Sequence, residues 1–274
     1  MSNKPQVLRR SVLAAALALP AVAAATSGER LRRRGSKPLT FVLVHGSWLG
    51  GWSWRRVADR LVAAGHRVFT PTMTGVGDRA HLISHLVTLD TWVRDVTMLL
   101  ATEELDDVVL VGHSFGGRVV TGTADRMRDR LRRIIFLDSA LALSGQSLFD
   151  QLPPAARAAR IASAAPSHGE SIPPPSALSL GVIDPADQAW VDRRMTPQPF
   201  GTNAQGITYA APIGNALPVT FVEFTEPVYP ASERAVAFAR SQPGWTMESL
   251  RTGHMAMVSA PEQLSALLMR VAAS

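Results

Sequence analysis

Residues 112–116 read Gly-His-Ser-Phe-Gly and present a serine that could act as a nucleophile. This G-x-S-x-G pattern follows an apolar run at 108–111 and precedes a helical pattern that reaches about residue 128. Because a serine hydroxyl is a poor nucleophile at neutral pH, it must be exposed on a tight turn and deprotonated by a neighbour. A helix that starts after the serine directs backbone N–H groups towards developing negative charge. The pattern and its flanks predict Ser114 as a nucleophile rather than part of an ordinary Gly-rich turn.

The general base is predicted to be His254, which follows the last predicted strand near the end of the chain. The chain order serine, acid, histidine requires a late histidine. Among the seven histidines, His113 is expected to point away from the serine and His45 to brace its own loop. His81 and His85 have a spacing that can bind metal on a helix, but no H-E-x-x-H pattern or third ligand accompanies them. We therefore expect neither a metal nor a cofactor.

The loop after the first predicted strand, which begins His-Gly-Ser-Trp, is predicted to help hold an oxyanion. In sheet enzymes with a G-x-S-x-G serine, this loop supplies one N–H donor and the residue after the nucleophile supplies the other. These donors would be the backbone N–H groups of Ser47 and Phe115. Gly46, Trp48 and Met255 are the candidates for lining the substrate.

The elements that must position these residues form an alternation of apolar strands and amphipathic helices from residue 38 onward. Short, continuous apolar runs are typical of strands that are covered on both faces. Strands are predicted at 41–44, 68–69, 108–111, 134–137, 219–224 and 245–250, with helices between and after them. This alternation predicts a mostly parallel sheet covered by helices on both faces, an α/β fold class.

The alternation breaks between about residues 140 and 212, where a proline pair and a proline triplet separate Ala-rich helical pieces. A broken stretch of this length within an α/β domain is typical of an insertion that covers a site. We therefore predict a helical cap at about 140–212 within a domain that spans residues 38–274.

The charge balance argues against a nucleic-acid partner. The chain has 28 basic and 22 acidic residues, but eight of the basic residues precede residue 38, and the remainder carries 20 basic and 21 acidic residues. Nucleic-acid binding needs a basic face on the folded domain. The absence of cysteine excludes disulfides, thiolate metal sites and a cysteine nucleophile.

Residues 1–25 are predicted to be a cleaved export signal. Lys4, Arg9 and Arg10 precede an apolar stretch at 12–25 that contains A-x-A cleavage patterns. The adjacent arginines resemble a twin-arginine signal; a Sec signal and an uncleaved anchor are the alternatives. The apolar stretch is too short for a stable membrane span. We expect a periplasmic or secreted protein without stable membrane insertion, and a solvated basic linker at 26–37.

Four segments together resemble a known family: residues 45–54, residues 74–79, the serine turn, and the Gly-His-Met-Ala-Met run at 253–257. Residues 39–274 resemble the α/β-hydrolases grouped with plant methyl-ester esterases, hydroxynitrile lyases and bacterial aryl- and pyrethroid-type carboxylesterases. The resemblance implies an α/β-hydrolase fold and cofactor-free hydrolysis of small or medium esters under a helical cap. The resemblance also separates two branches. The lyase branch has Thr and Lys at two positions where the esterases, like this chain, have Gly and Met; in this chain these are Gly46 and Met255.

The third triad member departs from the family pattern. The resemblance implies Thr-Glu-Asp after the 219–224 strand, but the sequence there reads Thr-Glu-Pro. Asp138, directly after the 134–137 strand, is the preferred replacement because it lies nearer the serine and keeps the order serine, acid, histidine. Glu226 is the alternative, although its one-residue offset would aim its side chain elsewhere.

These inferences predict a serine carboxylesterase that acts on small to medium, mainly apolar esters through an acyl-enzyme. The partner is a small-molecule ester, and the sequence leaves the physiological ester and the oligomeric state open. A hydroxynitrile lyase-like enzyme and a non-catalytic ligand-binding homologue are the alternatives.

Overall fold

The structure is a computed structural model that describes Met1, residues 37–141 and residues 143–274. Apart from Met1 and residue 37, the predicted export signal and the predicted linker lie outside the described residues. Ser36–Ser274 forms one compact unit. In the part of the chain that the structure describes, no helix combines the length and apolar character needed to cross a bilayer.

A six-stranded sheet with the order β2-β1-β3-β4-β7-β8 forms the centre of this unit. Its strands are β1 (Thr40–Val44), β2 (Arg67–Phe69), β3 (Val108–His113), β4 (Leu131–Leu137), β7 (Val219–Phe224) and β8 (Thr246–Leu250). Each of these strands pairs with its neighbours in parallel. The predicted mostly parallel sheet is therefore confirmed, and β3 and β4 are longer than their apolar runs suggested.

Helices cover both faces of the sheet. Since successive strand residues point to opposite sides, each strand packs against helices on both faces. Phe41 and Leu43 pack into one buried cluster with α1 (Arg55–Ala63) and α9 (Pro261–Ala273). Alternate strand residues pack into a second cluster with helices of the other face, which are α2 (Leu89–Thr102), α3 (Gly116–Met127) and α7 (Glu233–Ser241). A short helix, α8 (Ala256–Ser259), precedes α9.

The segment predicted as a cap, at about 140–212, lies between β4 and β7. It contains α4 (Pro154–Ala162), β5 (Ser171–Ile172), α5 (Pro185–Asp192), β6 (Gln198–Pro199) and α6 (Phe200–Ala204). β5 and β6 pair in antiparallel fashion, so the cap holds a small sheet besides the predicted helices. Trp48 joins the cap to the body, since its backbone oxygen accepts from Thr196 N at 3.0 Å and its indole N–H donates to Ile172 O at 3.2 Å.

The parallel topology gathers the residues of interest at one edge of the sheet. Ser47 follows β1, Ser114 follows β3, Asp138 follows β4, Glu226 follows β7 and His254 follows β8. Ligands of open α/β sheets bind outside the carboxyl ends of the strands. The loops at this edge therefore form the site.

Candidate active site

The backbone at Ser114 makes a tight, left-handed turn between β3 and α3. Its φ is 51°, which an L-residue adopts only when the surroundings enforce it. The turn requires glycine at both flanking positions, because neighbouring atoms leave no room there for a Cβ. A Cβ on Gly112 would lie 2.9 Å from Gly116 O, and a Cβ on Gly116 would lie 2.7 Å from Val44 O. The turn leaves the serine half-buried, at the amino end of α3.

His254 connects the serine to a carboxylate. Its Nε2 lies 2.8 Å from Ser114 Oγ, and its Nδ1 lies 2.6 Å from Asp138 Oδ2. Because a carboxylate accepts hydrogen bonds, Nδ1 carries a proton that it donates to Asp138. This tautomer leaves the lone pair of Nε2 facing the serine hydroxyl. The histidine and aspartate side chains are 3% and 1% exposed, so water is excluded from their contact.

Asp138 is held at the end of β4 by its backbone. Its N–H donates to Val222 O in β7 at 2.8 Å, and its φ of 42° turns the chain away from the sheet. Its second oxygen, Oδ1, is buried and has no hydrogen-bond partner among the described residues. His254 is the side-chain partner of this buried carboxylate. The low dielectric of the buried surroundings strengthens the hydrogen bond between them.

Glu226, the alternative acid, lies elsewhere. Its carboxylate pairs with Arg251 on the exposed surface, and the hydrogen bond from that guanidinium lowers the pKa of Glu226. Its backbone N–H donates to Thr252 O at 3.0 Å, which places the loop beside β8. The structure therefore brings Asp138, and not Glu226, to the imidazole of His254.

Two rings that the sequence analysis did not assign to the site enclose His254. The Tyr229 ring stacks on it, with centroids 3.9 Å apart and planes 24° apart. The His113 ring lies 4.7 Å from it, and His113 Nε2–H donates to His254 O at 2.8 Å. We expected His113 only to point away from the serine; it also packs against the histidine loop, and burial lowers its pKa well below the ordinary value. No sequence signal marks either contact, because both depend on where separate loops meet.

His45 braces the loop after β1, as expected. Met73 N donates to His45 Nε2 at 3.1 Å, so Nδ1 carries the proton and donates to Gly46 O at 2.8 Å. Complete burial lowers the pKa of His45 to about 4. This neutral ring fixes the backbone that leads to Ser47.

The two residues predicted to donate to the oxyanion lie at the same cavity as Ser114. Ser47 and Phe115 both line it, and neither backbone N–H has a hydrogen-bond acceptor among the described residues. Gly46 lies directly against the serine, since a Cβ there would be 2.8 Å from Ser114 Cβ. The close approach of these two loops therefore requires glycine at position 46.

The substrate-lining predictions are only partly met. Trp48 lines the cavity, whereas Gly46 packs against the serine instead of forming the wall. The prediction for Met255 is wrong: its side chain is fully buried in the core, because the chain turns into α8 directly after His254.

The cavity has a volume of about 560 Å³, within the range of sites for small ligands. Its walls are largely apolar and come from the body, the cap and the chain after β7; they include Trp48, Phe115, Leu141, Leu148, Leu152, Tyr229 and Phe238. A largely apolar wall around a reactive serine suits substrates with apolar bodies.

The histidine pair considered for metal binding does not share a helix. His81 lies in a short helical turn, Gly77–Leu82, which ends before His85. Across residues 37–141 and 143–274, no three His, Asp or Glu side chains are grouped as a metal would require.

Comparison with known proteins identifies the family of this chain. Residues 41–267 match the alpha/beta hydrolase family. The chain is 42% identical to a carbendazim hydrolyzing esterase from Nocardioides sp. (strain SG-4G) over 235 residues, which cover 82% of this chain and 96% of that protein. It is 36% identical to methylesterase 8 of Arabidopsis thaliana over 100 residues, which cover 36% of this chain and 37% of that protein.

A solved structure shares the fold. It is an extracellular alpha/beta-hydrolase from a Paenibacillus species, with a TM-score of 0.71, 24% identity, and coverage of 85% of this chain and 99% of that one. The family resemblance drawn from the sequence motifs is therefore confirmed. Because the family match and the 42% identical relative both extend over most of the sequence, this chain belongs to the alpha/beta hydrolase family.

Proposed function

We propose that this chain is a serine carboxylesterase with Ser114, His254 and Asp138 as its triad. The observation that carries the proposal is the continuous hydrogen-bonded chain from Ser114 Oγ through the His254 ring to Asp138 Oδ2, at 2.8 and 2.6 Å. The esterase names of the relatives support the same reaction class.

In the first half of the reaction, Ser114 Oγ attacks the ester carbonyl while His254 Nε2 takes the hydroxyl proton. Asp138 holds the imidazole in the reactive tautomer and stabilises the imidazolium that forms. The N–H groups of Ser47 and Phe115 stabilise the oxyanion of the tetrahedral intermediate. His254 then returns the proton to the leaving alkoxide, and an acyl-enzyme remains.

In the second half, water attacks the acyl-enzyme while the same imidazole accepts its proton. The second tetrahedral intermediate collapses, Ser114 recovers its proton and the carboxylic acid leaves. The apolar wall of the cavity favours small to medium esters with apolar bodies.

The test uses p-nitrophenyl esters and a fluorophosphonate probe. We expect wild-type protein to release p-nitrophenol and to carry the probe on Ser114, as shown by peptide mass spectrometry. Ser114→Ala should lose both properties, with kcat reduced by about 10⁶-fold. If wild-type protein neither turns over an ester nor reacts with the probe, the chain is a non-catalytic binding homologue and the proposal fails.

We also infer export from residues 1–25, on the basis of the charged start, the apolar stretch and the A-x-A patterns. Expression of the full chain in a bacterium should yield a mature protein, outside the cytoplasm, whose first residue lies near position 26. An intact signal segment on a cytoplasmic product would contradict this inference.

A further inference from the structure

Arg160 is one of five charged side chains that line the largely apolar cavity. It lies on cap helix α4, lines the cavity together with Ser114, and has its guanidinium carbon 5.3 Å from the centroid of the Trp48 ring. Trp48 directly follows Ser47, the proposed oxyanion donor. The cation therefore lies on the cap side of the space in which an ester would bind.

The charge of Arg160 has little compensation within the protein. Its hydrogen bond to Asn203 Oδ1 is long, at 3.4 Å, and no carboxylate of the described residues lies within ion-pair distance. Burial lowers the pKa of Arg160, as expected for a cation that lacks a close anionic partner. Arg160 is half-buried, so its charge is partly removed from water, and hydrogen bonds to a charged donor are among the strong ones.

The other charged side chains around the cavity differ from Arg160. Asp150 accepts from both the hydroxyl and the backbone N–H of Ser147. Arg234 donates to Gln151 O, and Glu233 is exposed. These groups have partners or lie in solvent, and Asp138 is bonded to His254, whereas the Arg160 guanidinium has only its long hydrogen bond to Asn203 among the described residues.

We propose that Arg160 anchors an oxygen acceptor of the substrate that is separate from the scissile ester. This inference rests on the proposed esterase function and adds a substrate class: esters whose apolar body ends in a carboxylate or a carbonyl. A half-ester of a dicarboxylic acid is the strongest case, since a carboxylate matches the guanidinium in charge and in planar geometry. The apolar middle of such a substrate would contact the apolar walls.

The experiment compares three p-nitrophenyl esters of similar length that end in a methyl group, a ketone or a carboxylate: hexanoate, 5-oxohexanoate and hydrogen glutarate. We expect wild-type protein to favour the carboxylate over hexanoate by about 10- to 100-fold in kcat/KM, as a hydrogen bond to a charged group would give. In Arg160→Met this ratio should fall close to one, and Arg160→Lys should keep part of it.

The matched control is Arg157→Met, on the same helix, because Arg157 is exposed and pairs only weakly with Asp150, at 3.8 Å. It should keep the wild-type ratio. An advantage of the ketone equal to that of the carboxylate would assign a neutral carbonyl as the preferred acceptor. A wild-type ratio near one, or a ratio that survives in Arg160→Met, would overturn the anchor.

A binding measurement separates this inference from the proposed function. Calorimetric titration of Ser114→Ala protein with glutarate should show binding that is lost when Arg160→Met is added and kept when Arg157→Met is added. If wild-type protein shows no ester turnover but glutarate binding depends on Arg160, the esterase proposal is rejected and the proposed role of Arg160 is kept. Equal binding by both double variants would reject the anchor.

Discussion

The loops after β4 and β7 carry acidic side chains from neighbouring strands to the same edge of the sheet, with very different results. Asp138, after β4, is buried and bonded to His254. Glu226, after β7, lies in solvent and pairs with Arg251. The loop after β7 instead supplies the Tyr229 ring, which covers one face of His254. One loop therefore holds the histidine by charge and the other by stacking.

The difference shows that burial and strand geometry, rather than nearness to a familiar motif, decide which carboxylate can orient the histidine. An exposed ion pair is screened by water and contributes little. A carboxylate in a dry site acts on its neighbour at low dielectric. The proline at position 227, where the family resemblance implies an acid, therefore need not remove the triad.

Of the substitutions in these two loops, we expect Asp138→Asn to reduce activity most strongly. It should reduce kcat by about 10⁴-fold, because the amide no longer fixes the reactive imidazole tautomer. Glu226→Gln is the matched control and should change kcat by less than about 3-fold, as expected for an exposed pair. Steady-state kinetics on a p-nitrophenyl ester measure both, and equal losses would refute the assignment.

Gly46→Ala should have the next largest effect. Its new Cβ would lie 2.8 Å from Ser114 Cβ, so either the serine or the oxyanion loop must move. Loss of one oxyanion contact costs about 10²- to 10³-fold in kcat. Gly145→Ala, whose Cβ would meet no atom within 4 Å but whose φ of 80° strains an alanine, is a control for the cost of backbone strain in a loop without a clash. A Gly46→Ala enzyme of normal activity would contradict the close approach of the two loops.

A smaller effect is expected at Tyr229, in the loop after β7. Tyr229→Leu should lower kcat by about 2- to 10-fold, since an aromatic pair adds only modestly to the burial of the ring. Tyr229→Phe keeps the ring and should restore activity to near the wild-type value. If Phe and Leu reduce kcat equally, the hydroxyl, and not the stacked ring, is the important group.

The elements and the nucleophile could be predicted from the sequence, whereas the partners of His254 could be predicted only in part. Apolar runs and a G-x-S-x-G turn are local patterns, so Ser114 and the strands around it followed from neighbouring residues. The choice between Asp138 and Glu226 depends on the depth at which two strands end, and sequence reasoning left both open. Met255 was misplaced because adjacency to a site histidine does not tell which way the side chain faces.

The loop after β1 gives an effect on stability rather than on activity, through the buried ring of His45. The folded protein holds His45 neutral with its pKa at about 4, whereas the unfolded chain protonates it near 6.5. The unfolded state therefore binds more protons between these values, and stability falls as the pH is lowered through them. His113, whose pKa is also lowered by burial, acts in the same direction.

Between pH 7 and pH 5, His45 should reduce the free energy of unfolding by about 2 kcal/mol. Urea titrations at both pH values measure this difference. His45→Gln keeps a donor and an acceptor but does not titrate, so its pH dependence should be weaker. His168→Gln, at an exposed position, should keep the wild-type dependence; a wild-type dependence in His45→Gln would contradict the account.

The rate at which a fluorophosphonate modifies Ser114 is the most direct test, because it reports activation of the serine without knowledge of the natural ester. Intact-protein mass spectrometry gives this rate for wild type, Asp138→Asn and Glu226→Gln. The account predicts slowing by about 10³- to 10⁴-fold in Asp138→Asn and a wild-type rate in Glu226→Gln. Modification at wild-type rate in Asp138→Asn, or marked slowing in Glu226→Gln, would contradict it.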